Sequence, residues 1–340
     1  MATLATEVST YADVAKRLDP SGGISGIVEI LNRTNPVIDD MLIMEANDGT
    51  GHRTTVRTGI PEAAWRLLNY GVPRVKSQTA SVRDTTGMLE AYAEIDKDLA
   101  ELSGNQKAYR LSEAAAIMEG MSQQMAETIF YGNTAINPER FLGLAPRYAT
   151  GVVANAASAA NVFNAGGADA AHNTSAYLVT WGAQATHGIY PRGSVAGLRH
   201  RDLGEHTLTD DAGGQFQGYR DHFKWDLGLT VRDWRTNARV ANIETDELDD
   251  ATKLNTLLRM MQDAEEALPI GGEDTNAMGG RRVWYVSKSV RSALRFAILN
   301  KIANNLTWET WNGKRVVMLD GTPVRRVDAI LETEAVVPFA

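Results

Sequence analysis

Six histidines, no cysteine and a surplus of carboxylates bound the chemistry open to this 340-residue chain. Without thiols it forms no disulfide, holds no iron–sulfur cluster and offers no thiol nucleophile, which fits assembly in a reducing compartment. The one local group of metal-ligating types is His200 and His206 with Asp202, Glu205, Asp210 and Asp211. A bound ion needs several such ligands converging on one point. These spacings share no helix face, and the segment reads as a solvated polar loop. A phosphate-binding glycine loop ending in Lys-Ser/Thr is absent, and Asn312-Gly313-Lys314-Arg315 reads as a hairpin turn. Gly22-Gly23-Ile24-Ser25-Gly26 lacks the spacing of a nucleophile elbow. The pairs Arg281-Arg282 and Arg325-Arg326 are too short for a nucleic-acid patch and read as surface or interface charges. With 42 acidic against 34 basic residues the net charge is −8, so bulk charge favours only weak, non-specific contact with DNA. The residues point to no catalytic centre, cofactor or metal.

The scaffold is better marked than any site. An apolar content of 44% suffices for two or more packed lobes. Met1–Asp19 has no basic stretch followed by an apolar one, and no window approaches the ~20 apolar residues of a membrane span. The expectation is a soluble chain made in the cytoplasm. From His52 to Thr86 the sequence is extended and polar. Its outer segments, Arg53–Thr58 and Val75–Arg83, are rich in strand formers but carry almost no apolar face. A lone two-stranded ribbon is marginal in water. It therefore needs support from a neighbouring molecule, or else it is a flexible surface loop.

Met88–Asp96 alternates as a half-buried strand, with Leu89, Ala91, Ala93 and Ile95 on one side. Leu111, Ala114, Ala115, Met118, Met121, Met125 and Ile129 then draw one stripe along a helix over Asn105–Tyr131, about 40 Å long. Gly132 and Asn133 stop it with C-cap chemistry, and Pro138 cannot continue it. Gly151–Thr174 reads as a loop or small hairpin. Ser175–Trp181 and Trp225–Trp234 are strands, joined by a loop carrying four of the six histidines. Acidic residues from Glu244 to Asp250 precede a helix with Leu254, Leu257, Leu258, Met261, Ala264 and Leu268 on one face, ended by Pro269 and Gly271-Gly272. Val283–Val286 is a buried strand, and Ser287 caps a helix over 288–303 with Val290, Leu294, Ala297, Ile298 and Ile302 inward. Asn312-Gly313 and Asp320-Gly321 mark hairpins in the tail. The whole is α+β without a βαβ repeat.

The helix ending in Phe130-Tyr131-Gly132-Asn133, followed by Asn137-Pro138-Glu139-Arg140-Phe141-Leu142-Gly143-Leu144, resembles the spine-helix passage of tailed-bacteriophage major capsid proteins. The resemblance covers most of the chain and rests on the order of elements. It implies the Hong Kong 97-type fold: an N-terminal arm (1–50, with a short helix at Gly26–Asn32), an extended E-loop (51–87), and a P-domain (88–150) with the spine helix at 105–131. P-domain strands come also from 222–245, and 151–221 with 246–340 form mainly the A-domain. The strands at 176–181 and 225–243 precede the unit formed by Val283–Val286, its helix and Gly321-Thr322-Pro323-Val324. That order looks like the rearranged connectivity of some short-tailed, podovirus-like phages.

The same resemblance implies a non-enzymatic subunit packing as hexamers and pentamers into an icosahedral virion capsid around double-stranded DNA. Assembly would occur in the host bacterial cytoplasm, with a scaffolding protein, a portal and a decoration protein as partners, and with no membrane. The residues expected to contact neighbouring subunits are Arg53, Arg57, Trp65, Leu67, Leu68, Arg74, Lys76 and Arg83. Some relatives cross-link through an E-loop lysine, for which Lys76 is the only candidate in the ribbon; a surface lysine or an intersubunit ion pair is the competing reading. Arm-like residues begin almost at Met1 with no charge-rich helical segment before them, so a separate scaffolding function is expected. The rival readings are an encapsulin-type compartment shell and a cytoplasmic α+β enzyme with dispersed site residues.

Overall fold

The computed structural model describes residues 35–102, 105–210, 212–269, 280–299, 306–311 and 314–339. The expected arm helix at Gly26–Asn32, the Gly271-Gly272 stop, Ile302 and the Asn312-Gly313 turn lie outside these residues. In chain order come helix α1 (Val37–Asp40), strands β1 (Ile43–Glu45), β2 (Gly51–Gly59) and β3 (Gln78–Asp96), and helices α2 (Lys97–Leu102), α3 (Gln106–Tyr131) and α4 (Leu144–Arg147). Strands β4 (Val162–Asn164), β5 (Asn173–Trp181), β6 (Thr186–Tyr190), β7 (Leu198–Thr209), β8 (Gln215–Val231) and β9 (Ala238–Glu244) follow. Helix α5 (Ala251–Glu266), β10 (Arg281–Val286), α6 (Lys288–Leu299), β11 (Leu306–Trp311), β12 (Lys314–Leu319) and β13 (Thr322–Arg326) complete the described elements. They form two compact units, one built on 88–126 and 197–226, the other on 35–87, 127–196 and 227–339.

In the first unit β7 and β8 form a long antiparallel hairpin, in register from Leu198↔Trp225 to Thr209↔Gln215 with a bulge between Asp202 and Gly204. This corrects the expectation of a loop there: His200 and His206 lie on β7, His222 on β8, and the fourth histidine, His187, on β6. The hairpin escaped detection because it buries few apolar side chains, Leu208, Phe223 and Trp225 among them, and polar pairs hold much of the rest. Lys224 Nζ lies 2.6 Å from Glu90 Oε1, and Arg220 grips Glu94, both carboxylates on the adjoining strand β3. Along 88–96 the alternation holds, with Ala93 and Ile95 buried and Met88 and Tyr92 exposed. Ile95, Leu99, Ala100 and Tyr109 make a small apolar cluster closed by Tyr219.

The second unit carries the sheet β4-β9-β5-β10-β13-β12-β11, in which β5 pairs antiparallel with both β9 and β10. One face holds its main core. Leu254, Leu257, Leu258, Met261 and Ala264 of α5 and Val290, Leu294 and Ala297 of α6 pack with Leu178, Val240, Trp284, Val286, Val317 and Val324. Both helices are capped by side chains: the Asp250 carboxylate accepts from Thr252 N–H at 2.7 Å, and, as the sequence predicts, Ser287 Oγ accepts from Val290 N–H at 3.4 Å. Asp320 (φ 44°) and Gly321 (φ 84°) turn β12 into β13.

The helix end in the Gly132 motif works differently from the C-cap expected. Gly132 is not in the left-handed region. Its N–H bonds Thr128 C=O at 2.9 Å, and its C=O accepts from Gly143 N–H at 2.7 Å. A Cβ on Gly132 would lie 2.3 Å from the Phe141 carbonyl oxygen, and one on Gly143 would lie 2.7 Å from that of Thr128. The two glycines let backbone pass backbone, a steric demand instead of a torsional one. Asn133 then closes the turn by accepting from Ala135 N–H at 3.0 Å.

A buried ion pair fastens the C-terminal segment to this sheet. Arg239 on β9 donates to Glu334 Oε2 at 2.7 Å, and both side chains are about 5% exposed or less. Ser175 Oγ and Tyr177 Oη donate to the same carboxylate, as does the Tyr131 hydroxyl at the end of α3. Arg239 also reaches Tyr148 C=O at 2.9 Å. Burial works against the guanidinium, but Tyr177 and Glu334 outweigh it and hold its pKa above the ordinary value.

The expected stripe on α3 is buried at Ala114 and from Met121 onward, with Ala115 and Met118 between them partly exposed. Met121, Met125, Ala126, Ile129 and Phe130 are covered, whereas Leu111 is 67% exposed and Met118 only half-buried. Met125→Asp should therefore abolish folding, since an unpaired buried carboxylate costs several kcal/mol against a net stability of ~5–15. Met118→Asp should remain soluble with a lowered melting temperature. Equal melting of the two variants would contradict this difference in burial.

Candidate intersubunit surface

The ribbon begins as a regular ladder. β2 and β3 pair antiparallel from Gly51↔Thr85 to Arg57↔Thr79. Beyond it, residues 60–77 form an irregular connection whose one recorded turn is Tyr70 N–H to Leu67 C=O at 3.2 Å, with Asn69 at φ 68°. Seven large apolar side chains stand in the open on this connection: Ile60, Trp65, Leu67, Leu68, Tyr70, Val72 and Val75. Trp65 is fully exposed and Leu68 is 89% exposed. A patch of this kind marks an interaction surface, because water-exposed tryptophan and leucine in one short segment gain nothing from the chain's own fold.

The root of the ribbon is fixed by charge. Asp84 on β3 is buried and accepts from Arg147 at 2.7 Å; the same guanidinium also reaches Leu229 C=O at 3.1 Å. Beside it His52 of β2 meets His187 of β6 edge to face, their ring centroids 5.6 Å apart. Burial, His52 and Arg232 together push the His187 pKa down to about 4. Burial and Arg232 also lower that of His52, against Asp84. A second buried knot lies at Asp40, which accepts from Arg325 at 2.8 Å, Arg281 at 3.1 Å and the Tyr285 hydroxyl at 2.9 Å. Its carboxyl is raised by burial despite the two arginines.

Of the residues expected to reach a neighbour, Trp65, Leu67 and Leu68 share the exposed connection with Arg74 and Lys76, which form no ion pair among the described residues. Arg53 is exposed, its backbone N–H bonded to Asn47 Oδ1 at 2.8 Å, and the side chain of Arg57 lies outside the described residues. Arg83 is engaged within its own chain, 3.1 Å from Asp48 and 2.6 Å from Thr50 Oγ1. The histidine–carboxylate group is dispersed. Asp202 pairs with Arg110 at 2.7 Å, which holds its carboxyl below the usual range; Glu205 pairs with Lys97. His200 stacks on Phe223 and meets Asp221 at 2.9 Å, Asp210 caps the β7–β8 turn, and Asp211 lies outside the described residues. Sequence reading missed Asp84, Arg147 and His187, which nothing short of the tertiary fold would bring together.

A subunit with a firm core and an unsupported apolar ribbon belongs to the class of proteins completed by assembly. This chain belongs to the major capsid protein GP7 family, whose model matches residues 19–338. It is 36% identical to a chain of bacteriophage Epsilon15, with a TM-score of 0.78 and 99% of each chain covered. Fainter likenesses include the SrpI encapsulin of Synechococcus elongatus (10% identity, TM-score 0.43, 68% of this chain and 95% of that one) and the capsid of a native GTA particle (12%, 0.42, 70% and 99%). Neither carries weight at that level. No curated protein matched by sequence. The chain is a tailed-phage major capsid protein of Hong Kong 97-type fold, a structural subunit of the oligomeric icosahedral shell, located in the virion capsid.

The ribbon root carries a pH signature. His187 is neutral in the fold but charged in the unfolded chain below about pH 6.5, so the unfolded state binds more protons between pH 4 and 6.5. Stability should fall as pH drops through that window, by on the order of 3 kcal/mol. Melting curves from pH 7.5 to 4.5 should show this loss in the wild type and much less of it in His187→Gln. An identical slope in both would contradict the assignment.

Proposed function

We propose that the 51–87 ribbon acts as an E-loop, lying across an adjacent copy and covering its apolar tip there, and that the shell is built of hexamers and pentamers joined in this way. The observation carrying this reading is the open apolar segment around Trp65, Leu67 and Leu68, anchored at its root by the buried Asp84–Arg147 pair. Buried apolar area supplies the attraction between copies, and charge complementarity sets their orientation. The residues 88–150 serve as the P-domain and most of 151–221 and 246–340 as the A-domain. The shell encloses double-stranded DNA through weak, non-specific contacts, is assembled in the host cytoplasm with a separate scaffolding protein and a portal, and performs no catalysis.

Trp65→Asp combined with Leu68→Asp tests the reading. Both side chains are exposed in the free subunit, so its melting should shift by no more than ~0.5 kcal/mol. Shell formation, followed by sedimentation and electron microscopy beside the wild type, should be lost. Normal shells from the double variant would overturn the E-loop assignment.

A further inference from the structure

A second open apolar surface complements the ribbon tip. It is a groove within the first unit, between α3 and the β7–β8 hairpin, with a volume of about 230 Å³. Leu111, Ala114 and Met118 of α3 and Phe223 of β8 supply its apolar walls. Leu111 and Met118 belong to the α3 stripe, yet the subunit leaves the first exposed and the second only half covered. Arg110 and Asp202 also line the groove. The Arg110 guanidinium is held 2.7 Å from Asp202 and 2.8 Å from Asp221, while the Asp202 side chain stays half exposed.

Size and chemistry together suit an indole. An apolar cavity of about 150 Å³ holds one benzene, and the larger indole ring scales this to roughly 225 Å³. Leucine and methionine walls suit its faces, a fixed guanidinium favours a tryptophan ring over other aromatics, and Asp202 can accept the indole N–H. The ribbon tip carries such a ring in Trp65, which is fully exposed and so does not fill the groove of its own copy.

Charge points the same way. Residues 51–87 hold six cations against two carboxylates, a net of +4 on a chain of −8. The segments 88–126 and 197–226 of the first unit hold thirteen carboxylates against seven cations, a net of −6. Arg66, Arg74 and Lys76 lie exposed close to Trp65 in the chain and form no ion pair among the described residues. A basic tip is thus matched by an acidic unit, whereas two ribbons or two grooves would set like charge against like.

We propose that Trp65 of one copy seats its indole in the groove between α3 and the β7–β8 hairpin of a second copy. This placement rests on the reading that the ribbon lies across an adjacent copy, and it deepens that reading by naming the surface that receives the tip. A tryptophan in a fitted pocket is the kind of anchor that carries much of an interface's binding energy.

The test uses the full-length chain under conditions where the wild type forms shells. Leu111→Lys removes one groove wall and faces the incoming cations with another. Leu111 is exposed in the free subunit, so melting should match the wild type, while the assembled fraction should fall about tenfold. Because the chain has no cysteine, Ala64→Cys copies can be co-assembled with Leu111→Cys copies and treated afterwards with a short bismaleimide. Peptide mapping should find position 64 of one copy joined to position 111 of another. Normal assembly of Leu111→Lys overturns the proposal. Assembled mixed shells without the 64–111 link overturn it too, and give the groove to another occupant. If Trp65→Asp/Leu68→Asp forms normal shells, the E-loop reading itself fails. If that variant loses its shells while the 64–111 link is absent, the E-loop reading stands and only the choice of groove is wrong.

Discussion

The Arg239–Glu334 pair holds more of this molecule in place than any other single interaction. It joins β9 to the C-terminal segment, and through Tyr131, Ser175 and Tyr177 it ties in the end of the long helix and strand β5. A buried ion pair is no certain gain in stability, because both charges give up water. Removing one partner is nonetheless severe, at about 3–5 kcal/mol, since the other is left buried and unanswered. Here every oxygen of Glu334 has a donor, and Arg239 is further held by Ser175 and the Tyr148 carbonyl. The geometry thus selects one arrangement of tail, sheet and helix end. The tail itself continues the clasp: Asn242, at φ 58°, exchanges hydrogen bonds with both the N–H and the C=O of Val337.

Firm interior fastening contrasts with the ribbon. Its root is held by Asp84 and Arg147 and flanked by two neutral histidines, while its tip has no cover from its own chain. In a shell subunit this division is physically coherent. A contact that must form only on assembly has to be absent from the folded monomer, yet the segment that makes it must leave the core at a fixed place. If the tip docks on a neighbour as proposed, rigid attachment at the root limits the conformational entropy lost in docking.

Much of the architecture was legible because apolar residues announced it. The stripes of α5 and α6, most of the α3 stripe, the Ser287 cap and the Asp320-Gly321 turn were all written in local spacing. The β7–β8 hairpin was not, because its cross-strand partners are Glu90 with Lys224 and Glu94 with Arg220, and polar alternation without an apolar face resembles a loop. Gly132 misled in a different way. Glycine at a helix end usually signals a left-handed cap, whereas here it makes room for the carbonyl of Phe141, nine residues further on. Of the proposed assembly surface, the exposed apolar tip could be anticipated from the polar strands that flank it. Its anchoring could not, since Asp84, Arg147 and His187 are far apart in sequence and lie on a strand, a helix end and another strand that only the tertiary fold brings near each other.

The distribution of charge follows from the same need to be completed by copies. A net charge of −8 would repel neighbouring subunits if it were spread evenly. In the second unit it is not even: carboxylates gather after β9, and cations gather on α6. Uneven charge of this kind bears on how copies are oriented more than on whether they attract. Apolar burial alone has no such direction. On the proposed E-loop reading, attraction from the ribbon and orientation from charge would be separable contributions to a closed shell.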